Sequence, residues 1–248
     1  MLKNEDIAKV QEIKGKFKNI WLSREYLQAH LNILDFHKIH RKFSFCKSSG
    51  YSFHQLISIL LVLPILGICT IHGFVKDNTT DLFQCGKDSY YRILSNQLIN
   101  WRDFLFQFVK QYLRKDELFT QSENQTKCLI FDDTDLYKTG KKIEGLSKIY
   151  DHVSNSFFFG FKLLVAGYWN GSVFIPVDFS FHRESKTSKL KYGLTAKQRK
   201  LQRKVSRDTK THAYKRFQEL NQKKIDVLIK MFSRIVRHKI PQLPPTNN

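Results

Sequence analysis

The sequence has few acidic residues, and this shortage excludes an ordinary neutral globular protein. Only 22 Asp and Glu residues stand against 42 Lys and Arg, which gives a formal net charge of +20. Charge of one sign repels itself in a compact chain, so such an excess indicates a polyanionic partner. Nucleic acid is the commonest partner of this kind, and its binding depends strongly on salt. An anionic membrane surface is the alternative.

Cysteine is also scarce and widely spaced. The four cysteines form no C-x-x-C pair, which argues against a zinc motif or a disulfide framework. Cys69 and Cys128 lie in apolar runs, where a free cysteine acts as a small hydrophobe. The first 18 residues are polar and of mixed charge, unlike a signal peptide. The expected compartment is therefore the reducing cytoplasm.

One long stretch, residues 48–75, has no Lys, Arg, Asp or Glu at all. Its apolar centre, residues 56–71, spans 16 positions and contains Pro64 and Gly67. A membrane-spanning helix needs about 20 apolar residues. We therefore predict a buried core helix bent at Pro64, with a membrane span as the alternative.

The first half of the chain has the pattern of a helical region, residues 1–120. In WRDFLFQFVKQYLRK the residues Phe104, Leu105, Phe108 and Tyr112 recur at three- and four-residue spacing. This spacing predicts an amphipathic helix, with Asn100 as its N-cap.

From Lys127 onward the pattern becomes that of strands. KCLIFDDTD is an apolar run that ends in acids, and FFFGFKLLVAGYWN and GSVFIPVDFSFHRE are two further runs joined at Asn170 and Gly171. Asn-Gly between apolar runs predicts a β-hairpin. Residues 225–237 predict an amphipathic helix. Its expected apolar face consists of Ile225, Leu228, Ile229, Phe232 and Val236. The predicted fold class is α/β.

Asp132 and Asp133, at the end of the first predicted strand, are the main candidates for chemistry. Two acids beside an apolar strand require neutralisation, and Mg²⁺ binds one or two carboxylates together with a substrate phosphate. Strand neighbours face opposite ways, so only one of the two can point into a given site. The alternative is an acid pair that caps backbone amides at a strand–turn boundary. For Asp178 and Glu184 we expect surface or turn positions. For the pair Asp151–His152 we expect a loop position with a structural hydrogen bond, with metal or acid–base chemistry as the alternative.

A strongly basic segment, residues 186–216, follows the hairpin. It contains twelve Lys or Arg residues and one acid, Asp208. We expect it to contact DNA phosphates, with a solvated insertion as the alternative. The candidate DNA-binding residues are Arg183, Lys186, Lys197, Arg199, Lys200, Arg203 and Lys204.

The motifs of this chain resemble one family. FDDTDLYKTGKKIEGLSKIYDHVSNSFFFGFKLL, followed by IPVDFSFHRES, is similar to insertion-sequence transposases of the DDE (Asp-Asp-Glu) superfamily, in the branch with a D-D-T motif. KDSYYRILSNQLINWRDFLFQFVK resembles the helical N-terminal region of those proteins. The resemblance covers roughly residues 52–237.

The resemblance implies a partial ribonuclease H-like domain at residues 127–240, after the helical region and with the basic insertion inside it. It also implies DNA strand cleavage and transfer at transposon ends, by three carboxylates that hold two Mg²⁺ or Mn²⁺ ions. The first carboxylate maps to Asp133, with Asp132 as the alternative. The sequence departs from the family at Pro241, before the second and third acids. We therefore expect a truncated copy that is inactive by itself, with DNA and an intact transposase as partners. The alternative is a non-catalytic basic DNA-binding protein.

Overall fold

A computed structural model describes residues 36–46, 49–64, 67–76, 85–119, 126–184 and 193–240 of the chain. The chain forms two compact units, residues 1–96 and residues 97–248. The sequence pattern had placed the boundary near residue 120. In the structure the long helix before the strands belongs to the second unit, because its apolar side chains are part of the core of the sheet.

The first unit is helical in its described part. It contains α1 (Phe36–Arg41), a 3-10 turn (Ser44–Cys46), α2 (Phe53–Val62), α3 (Ile71–Lys76) and α4 (Lys87–Leu94). A capping box begins α2, in which the Ser52 hydroxyl accepts from the Gln55 amide and Gln55 accepts from the Ser52 amide.

The predicted bend at Pro64 is wrong, because α2 ends at Val62 instead of continuing through the proline. Proline has no amide hydrogen to donate to the carbonyl four residues earlier, and its ring crowds that carbonyl. The chain turns at Gly67, whose φ of 67° is left-handed, and the Ile68 amide donates to the Leu63 carbonyl over 2.9 Å. The buried character of this segment is confirmed for Leu56, Ile57 and Ile59. Among the helices of the described residues, none is long and apolar enough to cross a membrane.

The second unit is built on a four-stranded antiparallel sheet, so the chain is a mixed α/β protein. Its elements are α5 (Trp101–Phe119), β1 (Cys128–Tyr137), β2 (Ser147–Asp151), β3 (Ser156–Trp169), β4 (Phe174–His182), α6 (Ala196–Lys200), α7 (His212–Glu219) and α8 (Lys224–Arg237). The long strand β3 is central and pairs with β1, β2 and β4. Gly160 faces Tyr137 of β1 and Ser147 of β2, so these two strands lie on opposite sides of β3.

The predicted hairpin between β3 and β4 is confirmed. The Asn170 side-chain oxygen accepts from the amides of Ser172 and Val173 at 2.9 and 2.7 Å, and Gly171 takes a positive φ of 106°. The helix α5 is also confirmed, and its cap is the predicted one, since the Asn100 side chain accepts from the Asp103 amide at 3.2 Å. The short strand β2 lies between β1 and the hairpin, in a stretch for which the sequence pattern predicted no strand.

Helices α5 and α8 pack their apolar side chains on one face of the sheet. The core cluster combines residues of α5 (Phe106, Val109, Leu113), β3 (Leu164, Ala166, Tyr168) and α8 (Val227, Met231, Ile235). The predicted apolar face of α8 is therefore wrong for most of its members. Ile225, Ile229, Phe232 and Val236 are 44–59% exposed, and only Leu228 packs against the core.

A charged residue explains this error. Arg234 lies on the buried side of α8 with Met231 and Ile235, because its guanidinium bonds Asp178 and Glu219. In a helical pattern an arginine indicates the solvent-facing side. The pattern therefore predicted that the face without Arg234 was buried.

Asp178 is completely buried. The expected surface or turn position is therefore wrong for this residue. Its Oδ2 accepts from Arg234 Nε at 2.7 Å, and its Oδ1 lies 3.2 Å from Arg102 Nε. The Glu219 carboxylate accepts from the same two arginines and, at 2.9 Å, from the Ser180 hydroxyl. Burial would raise the pKa of Glu219, but Arg102 and Arg234 outweigh it and lower the pKa below its ordinary value. We call Arg102, Asp178, Glu219 and Arg234 the buried ionic network.

Candidate functional site

Asp133 lies on the helix-covered face of the sheet. It is the sixth residue of β1, and its cross-strand partner is Leu164, a member of the core cluster. Directly opposed residues of an antiparallel pair share a face. The Asp133 side chain is 36% exposed, so it stands at the edge of the core beside the beginning of α8.

Two lysines contact the Asp133 carboxylate. Lys224, the first residue of α8, donates to Oδ2 over 2.7 Å, and the Lys162 ammonium lies 3.6 Å from the same oxygen. The hydrogen bond from Lys224 lowers the pKa of the Asp133 carboxyl below its ordinary value, and the charge of Lys162 adds to the effect. Lys162 also lies 3.6 Å from Oδ1 of Asp135, two residues along the same face. Asp133 is therefore held ionised between two ammonium groups.

Asp132 is on the opposite face of the strand. Its cross-strand partner is Val165, and its own Oδ1 accepts from the backbone amide of Asp133 at 2.8 Å. The geometry separates the two neighbouring acids: Asp133 joins the lysines and the core edge, whereas Asp132 is exposed and caps a backbone amide.

His182, at the end of β4, is a site residue that the sequence analysis missed. It pairs across the sheet with Lys162, is 3% exposed, and its Nε2 has no hydrogen-bond partner among the described residues. Burial lowers the pKa of the imidazole, and the positive charge of Lys224 lowers it further. Strand alternation from Asp178 and Ser180 to His182 was the available signal, because all three share one face of β4.

In this arrangement ammonium groups balance the Asp133 carboxylate. Its Oδ2 is in hydrogen-bond contact with Lys224, and Lys162 balances both Asp133 and Asp135. Within the described ranges no three His, Cys, Asp or Glu side chains come together as a metal-binding group.

Asp151 has a structural position, as expected, since it accepts from Tyr137, Val153 and Ser154 at the end of β2.

The candidate DNA-binding residues separate into two groups. Four of them, Arg183, Arg199, Arg203 and Lys204, line one cavity of about 440 Å³. Lys197 and Lys200 are exposed on α6 and do not line it. Lys186 lies outside the described residues.

The basic segment is folded back onto the sheet unit where the structure describes it. Gln202 is buried and donates to the Leu146 carbonyl over 2.8 Å, and the Arg203 amide donates to the Lys142 carbonyl over 2.9 Å. Arg207, which the sequence analysis did not select, forms a salt bridge with Glu144 and stacks on Phe217 at 4.5 Å. The alternative of a solvated insertion does not describe Gln202 and Arg207, whose side chains pack and bond within the unit.

Comparisons with family models, with curated proteins and with solved structures find no match to this chain.

Proposed function

We propose that the second unit is a DNA-binding domain of DDE transposase ancestry, with Asp133 in the place of the first metal-binding acid. The observation that carries the proposal is the arrangement around β1. An acid-bearing strand lies beside an antiparallel pair and under a following helix, which is the order expected of a ribonuclease H-like domain. The D-D-T motif and the strongly basic composition support the same assignment.

Asp133 is also the reason to propose that this chain does not cut DNA by itself. A two-metal phosphoryl transfer needs several carboxylates around the cations. Here Asp133, at the proposed position of the first metal-binding acid, contacts the ammonium groups of Lys162 and Lys224. The same contact favours the second candidate function, a non-catalytic DNA-binding protein that works beside an intact transposase.

DNA binding is tested by fluorescence anisotropy of a duplex against salt concentration. We expect the affinity to fall steeply with salt, and we expect Arg199→Ala to reduce the slope by about 0.9 if it removes one phosphate contact. Arg92→Ala is the matched control, because it removes one exposed positive charge from the first unit. Affinity that does not depend on salt would refute DNA binding.

Catalysis is tested separately, by strand cleavage of labelled DNA with Mg²⁺ or Mn²⁺. We expect no cutting by the wild-type chain. Cleavage that disappears in Asp133→Asn would refute the non-catalytic assignment and establish Asp133 as a working acid.

A further inference from the structure

The cavity beside α7 has an unbalanced charge. Its walls come from the Glu144–Gly145 turn, Arg183, Arg199, residues 202–205, Arg207 and α7. Five cationic side chains line it: Arg183, Arg199, Arg203, Lys204 and Arg207. The carboxylate in the lining is that of Glu144. The lining therefore carries a formal excess of four positive charges.

Glu144 does not neutralise the other cations, because its oxygens are already bonded. One accepts from the Val205 amide at 3.1 Å, and the other forms the salt bridge to Arg207. Within the described residues, Arg183, Arg199, Arg203 and Lys204 form no salt bridge. Burial lowers the pKa of Arg183, and the positive charge of Arg199 lowers it further.

The chain that carries these cations is held in place. A capping box fixes the start of α6, with Thr195 and Gln198 bonding each other's backbone amides. Buried Gln202 anchors the next turn to the Leu146 carbonyl. Because the backbone that carries them is fixed, these side chains lose less conformational entropy on binding than side chains on a mobile segment would.

We propose that this cavity is a phosphoryl-binding site, in which Arg183 and Arg199 are the principal donors and Arg203 and Lys204 complete the positive field. A guanidinium presents a planar fork of donors that matches two oxygens of a phosphate, and such charge-assisted bonds are strong. A volume of about 440 Å³ is in the range of small-ligand sites. The phosphoryl group can belong to a DNA strand, a reading that rests on the proposed function, or to a free phosphate compound.

The anion chemistry is tested without DNA, by calorimetric titration of the full chain with inorganic pyrophosphate at low salt. We expect saturable binding of one pyrophosphate per chain. Arg199→Met should weaken it at least about tenfold, the value of one hydrogen bond to a charged group. Arg237→Met is the control, because Arg237 is an exposed arginine of α8 outside the cavity, and it should change the affinity less than twofold.

Arg183→Met provides a second variant, and circular dichroism of both variants checks that the fold is kept. Absence of saturable binding by the wild type overturns the inference. An equal loss in Arg237→Met and Arg199→Met also overturns it, because the attraction would then be diffuse surface charge.

Competition with a DNA duplex identifies the source of the phosphoryl group. If Arg199→Met weakens both pyrophosphate and DNA, and the two compete, the cavity takes a DNA phosphate. If it weakens pyrophosphate alone, the cavity is a site for a free phosphoryl compound and DNA binds elsewhere. DNA binding without any pyrophosphate binding refutes the cavity and leaves the proposed function standing.

Discussion

Replacement of Arg102 by methionine tests how far the buried ionic network stabilises the second unit. The Arg102 side chain is 9% exposed, and its Nε and Nη2 donate to the Phe179 carbonyl at 3.0 and 2.9 Å. Its guanidinium also bonds Glu219 and lies 3.2 Å from Asp178. In Arg102→Met two buried carboxylates would share Arg234 alone, and one carbonyl would lose both its donors.

The expected loss of stability is large. Removal of one partner from a buried ion pair costs about 3–5 kcal/mol, because the remaining charge is uncompensated. Total stabilities are about 5–15 kcal/mol, so this single change removes a substantial share. For a domain of this size, each kcal/mol of lost stability lowers Tm by about 2–4 °C.

Urea denaturation followed by circular dichroism measures the change, with Arg237→Met, an exposed arginine of α8, as the control. The double variant Arg102→Met with Glu219→Gln restores the charge balance. We expect its loss to be smaller than the sum of the two single losses by about 0.5–3 kcal/mol. A value for Arg102→Met within about 1 kcal/mol of the control would refute a stabilising role for the network.

Four further substitutions test the packing and the buried imidazole. Met231→Ala should lower the free energy of unfolding by about 2–5 kcal/mol, since Met231 is completely buried. Phe232→Ser should lower it by less than about 1 kcal/mol. Urea midpoints distinguish the two variants, and equal losses would contradict the assigned helix face. Gly160→Ala should cost about 1–3 kcal/mol in the same assay, because its Cβ would lie 2.3 Å from the Leu136 carbonyl oxygen. The pKa of His182 is lowered on folding, so the unfolded chain binds more protons and stability falls as the pH drops below about 6.5. His182→Gln should flatten that part of the pH profile of the urea midpoint, and an unchanged slope would contradict the assignment.

The sequence predicted those elements whose pattern is local. The apolar run of β1, the Asn170–Gly171 turn and the three- and four-residue spacing in α5 each lie within a short window of the chain. Hydrophobic period and turn chemistry are sufficient for features of this kind.

Apart from the bend at Pro64, the errors involve side chains whose environment is set by distant residues. Asp178 looks like a surface acid until Arg102 and Arg234 are placed beside it, and Arg234 in turn decides which face of α8 is buried. His182 becomes notable only when β4 is paired with Lys162. Pairings across such separations leave no periodic signal in one sequence. The sequence identified the basic residues of the cavity but not which of them converge. That depends on how the segment folds back and bonds the Leu146 carbonyl.

The position of Arg102 in the chain also affects how the protein is made. Its hydrogen-bond partners lie 77 and 117 residues further along, at Phe179 and Glu219. A ribosome that adds about 5–20 residues per second takes roughly 6–23 s to synthesise that interval. Until the longer interval is complete, α5 has its arginine without the full set of groups that neutralise and cover it. Contacts of such long sequence separation form late because a large loop must close first. The network is therefore expected to slow unfolding of the finished domain much more than it speeds folding, since interactions absent from the transition state act on the unfolding rate.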